Sequence, residues 1–160
     1  MRKLLFIALF LTSLSCKKDS DPSPSKDLTT DLVGSYEYRY SVVYLENVTV
    51  EYTVRWTITK IADNKISLKH RQTAKVIPIG TEVTTTTTPF EITFDSIELT
   101  RADNINLDRT VEWLIDYQKM EKVRVIFDAT LIGRELDVKS KATILSSGEV
   151  SEDHVLFSKQ

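Results

Sequence analysis

Residues 34–60 read GSYEYRYSVVYLENVTVEYTVRWTITK, and this stretch decides the fold class. Tyr36, Tyr38, Tyr40, Val42 and Tyr44 share one parity, while Ser35, Glu37, Arg39 and Ser41 hold the other. Val48, Val50, Tyr52, Val54, Trp56 and Ile58 then alternate with Thr49, Glu51, Thr53, Arg55, Thr57 and Thr59. Successive side chains of a strand point to opposite faces, so a period of two buries one face and wets the other. A helix would scatter the same apolar residues around its circumference. The short Glu46-Asn47 junction predicts a hairpin, and therefore an antiparallel pair.

The same habit runs outward from this hairpin. Asp63-Asn64 predicts a turn into Ile66, Leu68 and His70 on one face, and Phe90, Ile92 and Phe94 alternate with Glu91, Thr93 and Asp95. Val123, Val125, Phe127, Ala129 and Leu131 lead through a turn near Gly133-Arg134 to Leu136, Val138, Ala142 and Ile144. Ser146-Ser147-Gly148 turns the chain into a last strand carrying Val155 and Phe157. Residues 107–118 fit a strand, although Leu107, Val111, Leu114 and Gln118 also trace a helical face that Asp108 would cap. Their β-branched and aromatic content favours the strand.

The expected fold is all-β, an antiparallel up-and-down meander of eight or nine strands. Long hairpin-connected strands close most simply into a barrel, which removes exposed edges; a two-sheet sandwich is the competitor. Leu32-Val33-Gly34-Ser35-Tyr36 resembles the Gly-x-Trp opening of the lipocalin-like (calycin) lipoproteins, with Tyr in place of Trp. That resemblance implies a barrel and assigns no binding residues.

The N-terminus carries an address. Arg2 and Lys3 precede an apolar run from Leu4 to Leu11, and Ser13 and Ser15 flank Cys16, the only cysteine of the chain. This is the pattern of a secretory signal, and it is too short to span a bilayer, which takes about 20 apolar residues. Ser13-Leu14-Ser15-Cys16 resembles a bacterial lipobox, and Cys16-Lys17-Lys18-Asp19-Ser20-Asp21 is similar to the export tag of Bacteroidota-type lipoproteins. The resemblance implies cleavage after residue 15, acylation of Cys16 with palmitate-like chains, and anchorage in the outer membrane at the cell surface or its periplasmic face. An ordinary signal peptide with an incidental cysteine is the plainer alternative. Residues 17–31, KKDSDPSPSKDLTTD, offer almost nothing to bury and predict a disordered tether, on the order of 20 Å end to end. The expected organisation is a signal peptide over 1–15, a lipidated cysteine and tether over 16–31, and a single β domain over 32–160.

Composition bounds the activity. Cleavage removes Arg2 and Lys3 and leaves 19 basic against 23 acidic side chains, a net charge of −4. So mild a balance argues against nucleic acid as a partner. No second cysteine exists for a disulfide, so the core alone must hold the domain. His70 and His154, the only histidines, lack metal-ligand spacing, and the chain has neither a nucleophile elbow nor a phosphate loop. No metal, cofactor or enzymatic activity is expected. Asp103-Asn104-Ile105-Asn106-Leu107-Asp108 offers oxygen ligands, but apolar residues interrupt them and no glycine turns them, so a plain turn is the better reading. Thr84 to Thr88 ahead of Pro89 predicts a blunted edge strand, and Asp95-Ser96-Ile97 resembles the O-glycosylation site of Bacteroidota-type exported proteins.

The candidate ligand-binding residues are Tyr36, Tyr38, Tyr40, Trp56 and Trp113. An aromatic row with polar tips suits a pocket for a lipid, pigment or sugar, and equally suits a filled core. The leading expectation is a lipid-anchored, non-catalytic barrel that binds a small apolar or amphipathic ligand. The alternative is a sandwich that serves as an interaction or assembly module of a surface complex, its partner a protein met by Arg39, Arg55 and the threonine run.

Overall fold

The computed structural model describes residues 27–44, 48–78, 80, 84–115 and 119–160. The expected signal peptide, Cys16 with most of the expected tether, Glu46-Asn47, Tyr117 and Gln118 lie outside them. Nine strands follow in chain order: β1 (Gly34–Tyr44), β2 (Val48–Ala62), β3 (Lys65–Pro78), β4 (Thr85–Thr86), β5 (Phe90–Glu98), β6 (Asn104–Ile115), β7 (Lys119–Ile132), β8 (Glu135–Ile144) and β9 (Val150–Lys159). All pairings are antiparallel, in the order β4-β3-β2-β1-β9-β8-β7-β6, with β5 also on β3. The segment that fitted both strand and helix is strand β6, paired with β7 from Asn104↔Thr130 to Ile115↔Lys119. The threonine run supplies only the two-residue edge strand β4.

One sheet therefore runs through the chain and curls into a half-barrel, which sets the two-sheet alternative aside. Its two halves, β5-β3-β2-β1 and β9-β8-β7-β6, are joined by a short ladder: β1 meets β9 only at Tyr36↔Lys159 and Glu37↔Ser158. Among the described residues no ladder joins β5 to β6. The curled halves face each other, so Phe94 of β5 packs edge-on against Phe127 of β7, ring centroids 5.7 Å apart.

Two bulges make the inward faces agree. The Asp63-Asn64 turn pairs Ala62 with Lys65, and the register slips by one residue before Lys60↔Ile66. Ile58 then faces Leu68, and Trp56 faces His70. In β5, Ser96 takes a left-handed φ of 57°, and the register shift there lets Phe94 and Ile97 both point inward. Without such an extra residue, one of each pair of apolar faces would turn to solvent.

One end of the barrel is plugged by the chain that enters it. Residues expected to belong to the tether, 27–31, instead dock under the sheet, so the packed domain begins earlier than residue 32. The side chains of Thr29 and Leu32 are wholly buried. The backbone N–H of Leu28 donates to Asn64 Oδ1 at 2.9 Å, and the Asp27 carboxylate accepts from Lys60 Nζ at 2.6 Å and from the N–H groups of Thr29 and Asn64. The Lys60 ammonium, with those N–H groups, holds the Asp27 carboxyl well below the usual carboxylate range. Above the plug lies a dense layer of Tyr36, Ile58, Ile66, Leu68, Ile105 and Leu136. Gly34 is favoured here, because its φ of +151° is one that L side chains rarely adopt, whereas a Cβ would meet only the flexible end of the Lys159 side chain.

The plug should be worth much of the domain's stability. Leu32→Ala is expected to cost about 2–5 kcal/mol, the range for a large-to-small change in a packed core. Urea unfolding followed by tryptophan fluorescence measures it; a change below about 1 kcal/mol would mean the plug is not part of the cooperative unit.

Candidate functional site

Towards the other end the sheet opens. Along β1 the inward residues pass from wholly buried Tyr36 through half-buried Tyr38 and Tyr40 to Tyr44, which is 47% exposed. The cause is topological: beyond Glu37 no ladder pairs β1 with β9, so the walls splay, and past the contact of Tyr38 with Phe157 at 5.7 Å the interior opens. A cavity of about 570 Å³ results. That volume lies within the range of small-molecule sites.

Aromatic rings dominate its lining. Tyr38 stacks on Tyr40 at 5.5 Å, and Tyr40 on Tyr52 at 4.6 Å. The Tyr52 and Tyr44 hydroxyls lie 3.2 Å apart. Trp56 forms the deepest part of the wall, 4.8 Å from Phe157 of β9 and 5.1 Å from Phe127 of β7. Trp113 of β6 packs on Phe90 at 5.2 Å and on His70 at 4.9 Å. Burial, reinforced by the neighbouring tyrosines and Asp153, pushes the Tyr40 hydroxyl up to about 12, so it stays neutral.

Four of the five expected lining residues meet here: Tyr38, Tyr40, Trp56 and Trp113. Tyr36 does not. It lies in the filled layer below, its ring wholly buried and its hydroxyl donating to the Leu32 carbonyl at 3.0 Å. The plug covers its level of the barrel, so Tyr36 is a core residue. Tyr52, Phe127 and Phe157 were on inward parities in the sequence, but which rings face each other across the barrel depends on the curl. The segment 103–108 is also corrected: from Asn104 onward it is strand, and Asn104 Nδ2 donates to Asp128, the Ala129 carbonyl and Thr130.

The outer face offers less. Arg39 and Arg55 both bind Glu37, at 2.6 and 2.5 Å, and the Arg55 hydrogen bond is the chief cause of that carboxyl's lowered pKa. Their charge is thus met within the sheet. His154 is exposed on the same side and is held by Asp137.

Among the described residues, His70 is a titratable side chain set deep in the wall. It is 6% exposed, and its Nδ1 accepts a hydrogen bond of 3.0 Å from Trp56 Nε1. Burial drives its pKa down to about 4, with the Gln72 side chain opposing weakly. The unfolded chain takes up this proton near pH 6.5, whereas the folded chain does so only near 4. The corresponding stability is fully present above pH 6.5 and is lost as pH falls from there to 4. His70→Asn removes the titration, so the wild type's stability relative to the variant should fall by a few kcal/mol between pH 7 and pH 4. Urea unfolding at a series of pH values reads this directly, and a constant difference would contradict a buried neutral imidazole.

Comparison with protein-family models, curated proteins and solved structures found no match for this chain, so the function is read from the cavity and the N-terminal sequence alone.

Proposed function

We propose that this chain is a lipid-anchored cell-envelope protein whose barrel binds a small apolar or amphipathic ligand without transforming it. The observation that carries the reading is the aromatic cavity of about 570 Å³ at the open end, above a core that is otherwise filled. Burial of apolar ligand surface there contributes about 25 cal/mol per Å², and the tyrosine hydroxyls near the mouth tolerate a polar end group. The anchor is acylated Cys16, held at the outer membrane by at least two chains, since one chain binds only marginally. The described chain enters the barrel at its closed end, so the mouth lies at the opposite end from the tether.

Native mass spectrometry of the mature chain carrying Cys16→Ser, purified without detergent from a bacterial host, tests the binding. An adduct of a few hundred daltons that is lost on denaturation is expected, on the order of what such a cavity holds. Ala142→Trp, which adds a ring to the half-buried β8 wall, should abolish the adduct while leaving the β spectrum intact. A bare mass, unchanged after incubation with fatty acids, haem and short glycans, would reject the reading. The anchor is tested separately: unsubstituted protein should fractionate with membranes and carry acyl mass at Cys16, and Cys16→Ser should lose both.

A further inference from the structure

The cavity wall holds a donor with no acceptor among the described residues. Trp56 and His70 are direct cross-strand partners on β2 and β3, and the indole N–H points at His70 Nδ1. An indole nitrogen is only ever a donor, so Nδ1 must be the accepting, unprotonated nitrogen. In a neutral imidazole the proton then sits on Nε2, on the other edge of the ring. That Nε2 is buried and has no hydrogen-bond partner among the described residues. Gln72, two residues along the same face, reaches the ring and favours its protonated form, although Nε2 itself finds no aligned acceptor among the described residues. A buried donor without a partner is rare in folded proteins and usually marks a group satisfied by something else.

The surroundings narrow what that something is. Phe90 and Trp113 flank the ring at 6.2 and 4.9 Å, and both line the cavity. The charged lining residues are Lys141, Glu149 and Asp153, on β8, β9 and the turn between them, and Lys141 is paired with Glu152. Among the described residues no cation stands at the depth of His70 to offset a buried carboxylate, whose desolvation would be costly. Trp113 is half-buried on β6, whose outer edge carries no ladder to β5 among the described residues.

Building on the cavity's reading as a ligand site, we infer that His70 is its polar anchor: Nε2–H donates to a neutral carbonyl oxygen on an otherwise apolar, ring-bearing ligand that inserts between His70 and Trp113. Trp56 is the positioning residue, since its N–H fixes the tautomer that makes Nε2 the donor.

The test uses a matched pair, 2-acetylnaphthalene and 2-ethylnaphthalene, which differ in one carbonyl. Both are titrated calorimetrically into the mature chain carrying Cys16→Ser, with and without His70→Asn. The asparagine carbonyl oxygen takes the place of Nδ1 and keeps the bond from Trp56, while its amide N–H groups fall at the Cδ2 position and do not reach that of Nε2. The ketone-to-hydrocarbon affinity ratio should fall about tenfold in His70→Asn, through the ketone alone. Long-range proton–nitrogen spectra of the wild-type protein supply a readout independent of the variant's folding. They should place the proton on Nε2, and the ketone but not the hydrocarbon should shift that signal. A proton on Nδ1, or both compounds binding with an unchanged ratio and an unmoved Nε2 signal, would overturn the anchor while leaving the cavity a binding site. Failure of both compounds to bind the wild-type protein would overturn the cavity's reading and the anchor with it.

Discussion

The Trp56 indole is the contact on which the rest of the molecule depends. It is 2% exposed and stands where the two halves of the sheet come together. From β2 it touches Phe127 on β7 and Phe157 on β9, and it donates to His70 on β3. The halves share only two ladder pairs along β1 and β9, so side chains must supply most of the cohesion across the interior. A single large ring reaching both halves does this at the level where the filled core ends and the cavity begins. Below it aliphatic residues interlock; above it the walls part and the tyrosines line them.

The cavity is thus a consequence of where the ladders stop. An antiparallel barrel whose seam continued this register along β1 would bring Tyr40 against Val155 and Val42 against Asp153 of β9. Here the seam ends at Glu37, whose outward carboxylate is pinned by Arg39 and Arg55. The plug then closes the narrow end without help from the strands, because the Asp27 carboxylate ties the incoming chain to the β2–β3 turn through Lys60 and Asn64. A closed floor and an open mouth follow from two different devices, one made by the chain's entry and one by an incomplete seam.

Much of this was legible in the residues. The parity of Tyr36 to Tyr44 and of Val48 to Ile58 announced the first hairpin, and β6 followed from its β-branched and aromatic content. Even the β2–β3 bulge was implicit. The inward faces of Trp56, Ile58, Leu68 and His70 are all even-numbered, whereas a plain two-residue turn at 63–64 pairs even with odd. Something had to slip, and the register does so next to the turn. Curl was not legible, because local alternation says nothing about which strands face each other. Hence Tyr36, identical in pattern to Tyr38 and Tyr40, was indistinguishable from them until the plug was seen beneath it. The docking of 27–31 was hidden for a related reason: a short polar segment stays ordered here through hydrogen bonds to a distant turn.

The Trp56–His70 pair is a poor choice for stability alone. Leaving a buried N–H unsatisfied costs about 1–3 kcal/mol. Phenylalanine in place of His70 would avoid that penalty, but it would strand the Trp56 N–H instead. Only replacing both residues with apolar ones would fill the wall without an orphan, since removing both partners of a buried bond is nearly neutral. Packing therefore gives no reason for the pair to be there. What the pair does provide is orientation: it fixes the imidazole, sets its tautomer, and presents one neutral donor from a wall of rings. Binding sites are where such locally unfavourable arrangements concentrate, because the missing partner arrives with the ligand.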